Sequence, residues 1–154
     1  MAERTLIIIK PESIKLKLEG IIHAELAPHG KRMITARVDA VPREIIEAHY
    51  APHKDKPFFK RVVNYFTGKP VILSIYEGKD VIQNFRKIIG PSDPSKAPKN
   101  TIRGKYSDDS MEKAIAEQRS IYTLVHCSES VAEYKREMSV WKEYFAGFNI
   151  TKIF

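Results

Sequence analysis

A histidine and the chain's lone cysteine stand side by side at His126 and Cys127, where the apolar run "SIYTLVH" stops and a helical pattern begins. Near neutral pH an imidazole can serve as nucleophile, base or metal ligand, and a thiol becomes a nucleophile when its pKa is depressed. Alone, His126 reads as a hydrogen-bonded structural histidine. Glu137 changes that reading, because it lies on the following helix, where a strand-to-helix turn can bring it back toward the imidazole. A carboxylate on one ring nitrogen fixes the tautomer and leaves the other nitrogen with its lone pair, the arrangement of an activated histidine. Alternation along a strand sends Cys127 to the face opposite His126. The cysteine therefore reads as packing, with cysteine–histidine hydrolysis as an alternative.

What such a histidine could act on is suggested by three cations. The sequence has no Walker-type phosphate loop and no Gly-x-Gly-x-x-Gly after a strand, so side chains must hold any phosphate. Lys10 ends the first apolar run, Arg86 lies on a helical pattern and Arg103 sits in "NTIRGKY". All three fall near strand ends or in a long loop, positions that can converge on one cleft. Singly, each reads as a surface charge, and it is His126 that justifies grouping them.

Those positions depend on the elements that carry them. "TLIIIK" is a β-branched run suited to a strand buried on both faces, and Pro11 ends it. Leu18, Ile21, Ile22 and Leu26 recur at helical spacing before Pro28 and Gly30. Ile34 to Ala40 alternate as a strand with one wet face, and Pro42 opens a short helix reaching Tyr50. "KPFFKRVVNYFTG" is a helix stopped by Gly68, "PVILSIYEG" a buried strand, and Val81, Phe85, Ile88 and Ile89 the stripe of a further helix ending at Gly90 and Pro91. Between Gly90 and Ser120 the pattern lapses into a Pro- and Ser-rich loop with one short helix at "SMEKAIAEQ"; loops of this length are functional or disordered. "SIYTLVH" reads as the fourth strand, and Val131, Tyr134, Met138, Trp141 and Phe145 mark the last helix. This order predicts an α+β, split βαβ arrangement: a four-stranded antiparallel sheet with helices packed on one face.

With 154 residues, 43% of them hydrophobic, the sequence suits one domain over 1–154 with a single core. A single cysteine excludes an internal disulfide, and no zinc-type Cys/His spacing exists, so a cytoplasmic location is expected. "MAERTLIIIKPE" is too short an apolar stretch for a signal-peptide core or a membrane span. Twenty-six basic against nineteen acidic side chains give +7, which favours anionic partners. The basic residues are scattered and the aromatics are not interleaved with them, which argues against specific nucleic-acid binding.

"IIIKPESI", "HYAPHKDKPFF", "YEG", "RKIIGPSDP", "NTIRGKY", "VHCSES" and "REMSVW", in this order, make the chain resemble the nucleoside diphosphate kinases over about Arg4 to Tyr144. The resemblance implies a ferredoxin-like βαββαβ fold and ping-pong transfer of the γ-phosphoryl group from a nucleoside triphosphate to a diphosphate through a phosphohistidine on His126. It assigns Glu137 to orient that ring, Ser128 to the same hydrogen-bond group and Tyr50 to a place beside it. It assigns Lys10 to ribose and phosphate, Arg86 and Arg103 to the phosphates, and Phe58 to stacking on the base, which implies broad base specificity. Mg²⁺ is implied as cofactor, held mainly by nucleotide phosphates rather than by protein ligands, and a homo-oligomer, hexameric or tetrameric, as the assembly.

Four positions depart from the family pattern. Ser92 stands for a threonine at the nucleotide, and Thr123 for an asparagine that reaches the ribose. Cys127 and Ser13 stand for glycines; at Cys127 a left-handed backbone would be strained by about 1 kcal/mol. An insert at about 107–119 and a short C-terminal extension are also expected. A nucleotide-binding or assembly module without efficient turnover is the alternative these departures leave open.

Overall fold

The structure, a computed structural model, describes residues 2–149; the rest of the expected C-terminal extension, 150–154, lies outside the described residues, as does Met1. Strand β1 (Ala2–Ile9) is followed by α1 (Pro11–Lys15), α2 (Glu19–Leu26), β2 (Lys31–Val38), α3 (Arg43–His49), α4 (Phe59–Phe66) and β3 (Val71–Lys79). Helices α5 (Val81–Ile89), α6 (Ile102–Tyr106) and α7 (Met111–Ala116) then lead to β4 (Val125–Cys127) and α8 (Val131–Trp141). The sheet order is β2-β3-β1-β4 with every neighbouring pair antiparallel, the predicted split βαβ topology.

β1 and β3 are central, and β1 shows why its sequence is an unbroken apolar run. Leu6 and Ile8 join one core layer with residues of α3, α4 and α8, while Ile7 and Ile9 join another with residues of α2, α5 and α6. Helices therefore cover both faces of the sheet, not one as expected. The physical reason lies in β1 itself: alternate residues point to opposite faces, so a strand without polar alternation needs an apolar partner on each side. Each fully buried Leu or Ile is worth roughly 1.5–3 kcal/mol against exposure.

Two further differences bear on function. Pro11 ends β1 but also opens α1, its missing N–H costing nothing in a first turn. The expected fourth strand, 120–126, is only Val125–Cys127. Leu124 has φ of 72°, which turns the chain out of extended geometry. Upstream, side chains rather than a neighbouring strand satisfy the backbone: Tyr122 N–H donates to Asp109, and the carbonyls of Ile121, Tyr122 and Thr123 accept from Lys10, Ser107 and Arg103.

The Gly90–Ser120 segment is ordered by caps. Thr101 Oγ1 accepts the Gly104 N–H at the start of α6, Asp93 accepts from Ser95, and Ser110 accepts from Lys113 at the start of α7. At position 104 a Cβ would collide with the Pro98 carbonyl, so only glycine lets the loop and α6 pack together.

Candidate active site

β4 pairs with β1 in the register Ile7↔Cys127 and Ile8↔His126. This places the Cys127 side chain in the α5 layer and sends His126 to the opposite side, toward α3 and α8. As expected, the cysteine is packing. Burial pushes its thiol up to about 11, and Sγ lies 3.3 Å from Thr5 Oγ1. Its φ is not among the positive ones, so substitution for glycine brings no left-handed strain.

Glu137 is 2% exposed, and it is here that the imidazole finds its partner. His126 Nε2 lies 2.8 Å from Glu137 Oε2, and the other carboxylate oxygen accepts the Ser128 hydroxyl at 2.6 Å. Ser128 Oγ in turn accepts the Leu6 N–H at 3.0 Å, so its own proton is committed to Glu137. The chain of donors runs from a β1 amide through Ser128 to Glu137, which leaves Oε2 as acceptor for an Nε2–H and the lone pair of the ring on Nδ1. Burial opposes ionisation of Glu137, but the His126 charge and hydrogen bond, with help from His49 and Ser128, outweigh it and hold the carboxyl down at about 2.

A second ring, His49 at the end of α3, packs edge-on against His126 with centroids 4.7 Å apart. Its Nδ1 accepts the Trp141 Nε1–H at 3.0 Å, and burial, with repulsion from His126, pulls its pKa down to about 3. It is neutral at physiological pH and carries its proton on Nε2. The sequence reading gave His49 no role. The signal was available in Trp141, one helical turn beyond Glu137 and so on the same face of α8.

His126 stands at the junction of two parts of a cleft. One part is lined by Arg86, Lys87, Ser92, Thr101 and Arg103, the other by Lys10, Tyr50, Phe58, Arg61 and Thr123 together with Met111, Ala114 and Ile115 of α7. The second part encloses about 350 Å³. All the expected site residues except the two buried ones behind the ring, Glu137 and Ser128, line this cleft.

Their engagement differs. Arg86 is exposed, and its guanidinium has no hydrogen-bond or ion-pair partner among the described residues. Arg103 is tied to three carbonyls, donating to Thr123, Gly90 and Val125 at 2.8–2.9 Å, and burial pulls its pKa down to about 10, still cationic at neutral pH. Lys10 donates to Ile121 O and Thr123 Oγ1 and lies 3.5 Å from Glu12; burial lowers its pKa against the pull of that carboxylate. Thr123 thus reaches Lys10 with the hydroxyl that stands in for an amide. Tyr50 packs on His49 and Phe66, and burial raises its phenol pKa. Phe58 is partly exposed beside His53, and Ser92 is exposed at the mouth.

Glu12 and Arg61 were also missed from sequence. Glu12 accepts the Leu124 N–H and the Tyr65 hydroxyl, and so fixes the left-handed residue before β4. Ser13, the other substitution for glycine, adds a hydrogen bond to the Leu124 carbonyl at 2.8 Å. Arg61 Nε is buried without an acceptor among the described residues. Both look like ordinary helix charges in the sequence, because their partners are far along the chain.

His49, His126 and Glu137 bring three ligand-type atoms within 4.8 Å, but each is already committed by a hydrogen bond or a ring contact, and two imidazoles do not suit an oxygen-seeking cation. Among the described residues lining the cleft the one carboxylate is Glu129. A Mg²⁺ ion, which needs few protein ligands when phosphates supply the rest, fits such a cleft.

Comparison with known proteins gives a consistent picture. The family model described as nucleoside diphosphate kinase matches residues 3–145. A nucleoside diphosphate kinase of Saccharolobus solfataricus is 36% identical over 141 residues, 92% of this chain and 95% of the relative. The crystal structure of an NDP kinase from Pyrobaculum aerophilum superposes with a TM-score of 0.81 at 28% identity, covering 94% of this chain and 98% of that one. A transition-state mimic of the enzyme from Borrelia burgdorferi, with bound vanadate and ADP, gives a TM-score of 0.87 over 99% of this chain and 90% of that one; at 24% identity it bears on the fold.

Proposed function

The chain belongs to the nucleoside diphosphate kinase family, phosphotransferases that act on nucleotides, and from that premise we propose how its own residues carry the transfer. His126 Nδ1 is the nucleophile. It attacks the γ-phosphorus of a nucleoside triphosphate, a P–N bond forms, the bond to the β,γ-bridging oxygen breaks, and the diphosphate leaves with those electrons. A second diphosphate then attacks the phosphoimidazole through a terminal β-oxygen, receives the phosphoryl group and returns the electron pair to Nδ1. Two single transfers replace one direct transfer between two anions.

The observation that carries this reading is the Glu137 carboxylate on Nε2, with Ser128 behind it. As Nδ1 takes up phosphorus the ring gains positive character, and an ionised Glu137 stabilises it while the proton stays on Nε2. Arg86, with no partner among the described residues, and the outward N–H groups of Arg103 meet the charge on the transferring group, whose loose transition state depends on positioning and cations. Phe58 stacks on the base, Thr123 and Lys10 lie at ribose level, Ser92 offers a hydroxyl to the phosphates, and Tyr50 with His49 keeps the imidazole from rotating. Arg61 Nε can take a nucleotide oxygen as its missing acceptor.

Enzymes of this family work with a divalent cation, which we take to be Mg²⁺; held by the nucleotide it would offset phosphate charge during the transfer. Glu129 is the protein carboxylate within reach. A homo-oligomer, hexameric or tetrameric, is proposed on the open edge of β2. No helix among the described residues is long and apolar enough to cross a membrane. A cytoplasmic location is proposed from the unpaired Cys127.

The test is direct. The protein incubated with γ-labelled ATP should acquire an acid-labile phosphate that GDP removes as GTP, and His126→Ala should acquire none. Labelling of His126→Ala to the same extent would overturn the assignment.

A further inference from the structure

The second part of the cleft holds a cation that the phosphate chemistry leaves unused. Arg61 lines it together with Lys10, Tyr50, Phe58 and Thr123, and is not among the residues that line the first part, where Arg86 and Lys87 stand. The other two arginines that line the second part are spent inside the protein. Arg103 donates to three carbonyls, and Arg119 is paired with Asp109 by hydrogen bonds of 2.7 and 2.8 Å. Arg61 has no hydrogen bond or ion pair among the described residues, although its Nε is withdrawn from water. A buried N–H without an acceptor is destabilising, because the hydrogen bond it makes to water in the unfolded chain is lost and not replaced. An acceptor brought by a ligand would restore it.

The position of Arg61 on α4 says which part of a nucleotide carries that acceptor. Phe58, at the cap of α4, already has helical angles, with φ of −80° and ψ of −11°. Arg61 follows three residues later, so it shares a face with the Phe58 ring, and a long helical side chain leans toward the N-terminus, here toward Phe58. Val62, Val63 and Phe66 hold the helix against the sheet, which fixes that face toward the cleft. With phosphates at His126 and the cations of the first part, and the sugar at Lys10 and Thr123, the group beside Phe58 is the base, and it turns an edge to the Arg61 guanidinium.

A guanidinium is planar and donor-only, and its Nε–H with the neighbouring Nη–H forms a fork of two parallel bonds. Guanine offers such a fork two adjacent acceptors, O6 and N7, whereas adenine sets an amino donor beside N7. We propose that Arg61 reads the base: its Nε–H and an adjacent Nη–H donate to O6 and N7 of a guanine stacked on Phe58. This rests on the nucleotide reading of the same cleft and narrows the broad base specificity that stacking alone implies. The Phe58 ring holds any base, and Arg61 selects among them.

Calorimetric titration of the full chain with GDP, inosine diphosphate, ADP and inorganic pyrophosphate tests this. The proteins are wild type, Arg61→Met, Arg61→Lys and, as a charge control on the same helix, Lys60→Met, whose side chain is exposed and does not line the cleft. Wild type should bind GDP and inosine diphosphate, which keeps O6 and N7, about tenfold more tightly than ADP, within the range of one bidentate base contact. Arg61→Met keeps an unbranched stem without the fork; it should bring both down to the ADP level, while ADP and pyrophosphate lose no more than in Lys60→Met. Arg61→Lys keeps the charge without the fork and should also lose the preference. An equal loss for ADP and GDP in Arg61→Met, a preference that survives in it, or a wild type that binds GDP no better than ADP would overturn the proposal. Phosphohistidine formation by wild type reports separately on the function, so a protein that is labelled but does not favour guanine refutes the base reading alone.

Discussion

At the level of single residues, the proposed nucleophile is defined by what lies behind it. His126 and Glu137 were legible in the sequence because a histidine at a strand end and an acid on the next helix form a recurrent geometry, and Ser128 only through the family resemblance. His49, Glu12 and Arg61 were not, because each acquires its meaning from a partner that only the fold supplies. Replacing Glu137 by glutamine should lower turnover about 10–100-fold, the usual effect of removing a group that orients a reactive histidine, while leaving nucleotide affinity near wild type. Steady-state kinetics with kcat and KM separated would show it. The same variant carries a pH signature. The Glu137 carboxyl sits at about 2 in the fold, below its ordinary 4.5, so its ionised form adds stability above that ordinary value, and this is lost as pH falls through the folded one. Thermal unfolding of wild type and Glu137→Gln should therefore differ most above about pH 5 and converge toward pH 2.

Secondary elements were read more securely than the links between them. Periodicity located β1, β3, α4 and α5, since each buries a full stripe or run. It overextended β4, because "SIYTLVH" has the composition of a strand and nothing local reveals that Lys10, Glu12, Arg103 and Asp109 will take its backbone groups. Nor could an apolar count place α1 and α6, which are one-turn helices set by Pro11 and by the Thr101 cap. The insert belongs to this level too. Asp109→Asn removes one charge of a pair and should loosen the segment without unfolding the sheet, since α7 adds little to either core layer. Hydrogen exchange should rise several-fold in 107–122 and remain at wild-type levels in β1 and β3. Uniform acceleration across the chain would show that the insert supports the whole fold instead.

Taken as a whole, the molecule is a cation with its reactive cleft at one end of a sheet buried on both faces. The +7 charge is spread over the surface, but Arg86, Lys87 and Arg103 concentrate part of it at the part of the cleft proposed to take the phosphates. Nucleotide affinity should fall steadily as ionic strength rises from about 0.05 to 0.5 M, and more steeply for triphosphates than for monophosphates. An affinity independent of salt would mean that stacking dominates binding. The topology that unites the two core layers also governs when the enzyme can exist during synthesis. Ser128 leans on the Leu6 amide, 122 positions earlier in the chain, and Glu137 is translated later still. A ribosome stalled before that codon has already delivered Lys10, Arg86 and Arg103, yet its product holds an imidazole with nothing to aim it. Translation products that end before Glu137 are therefore expected to be inert toward phosphate, since their imidazole lacks the carboxylate that aims it.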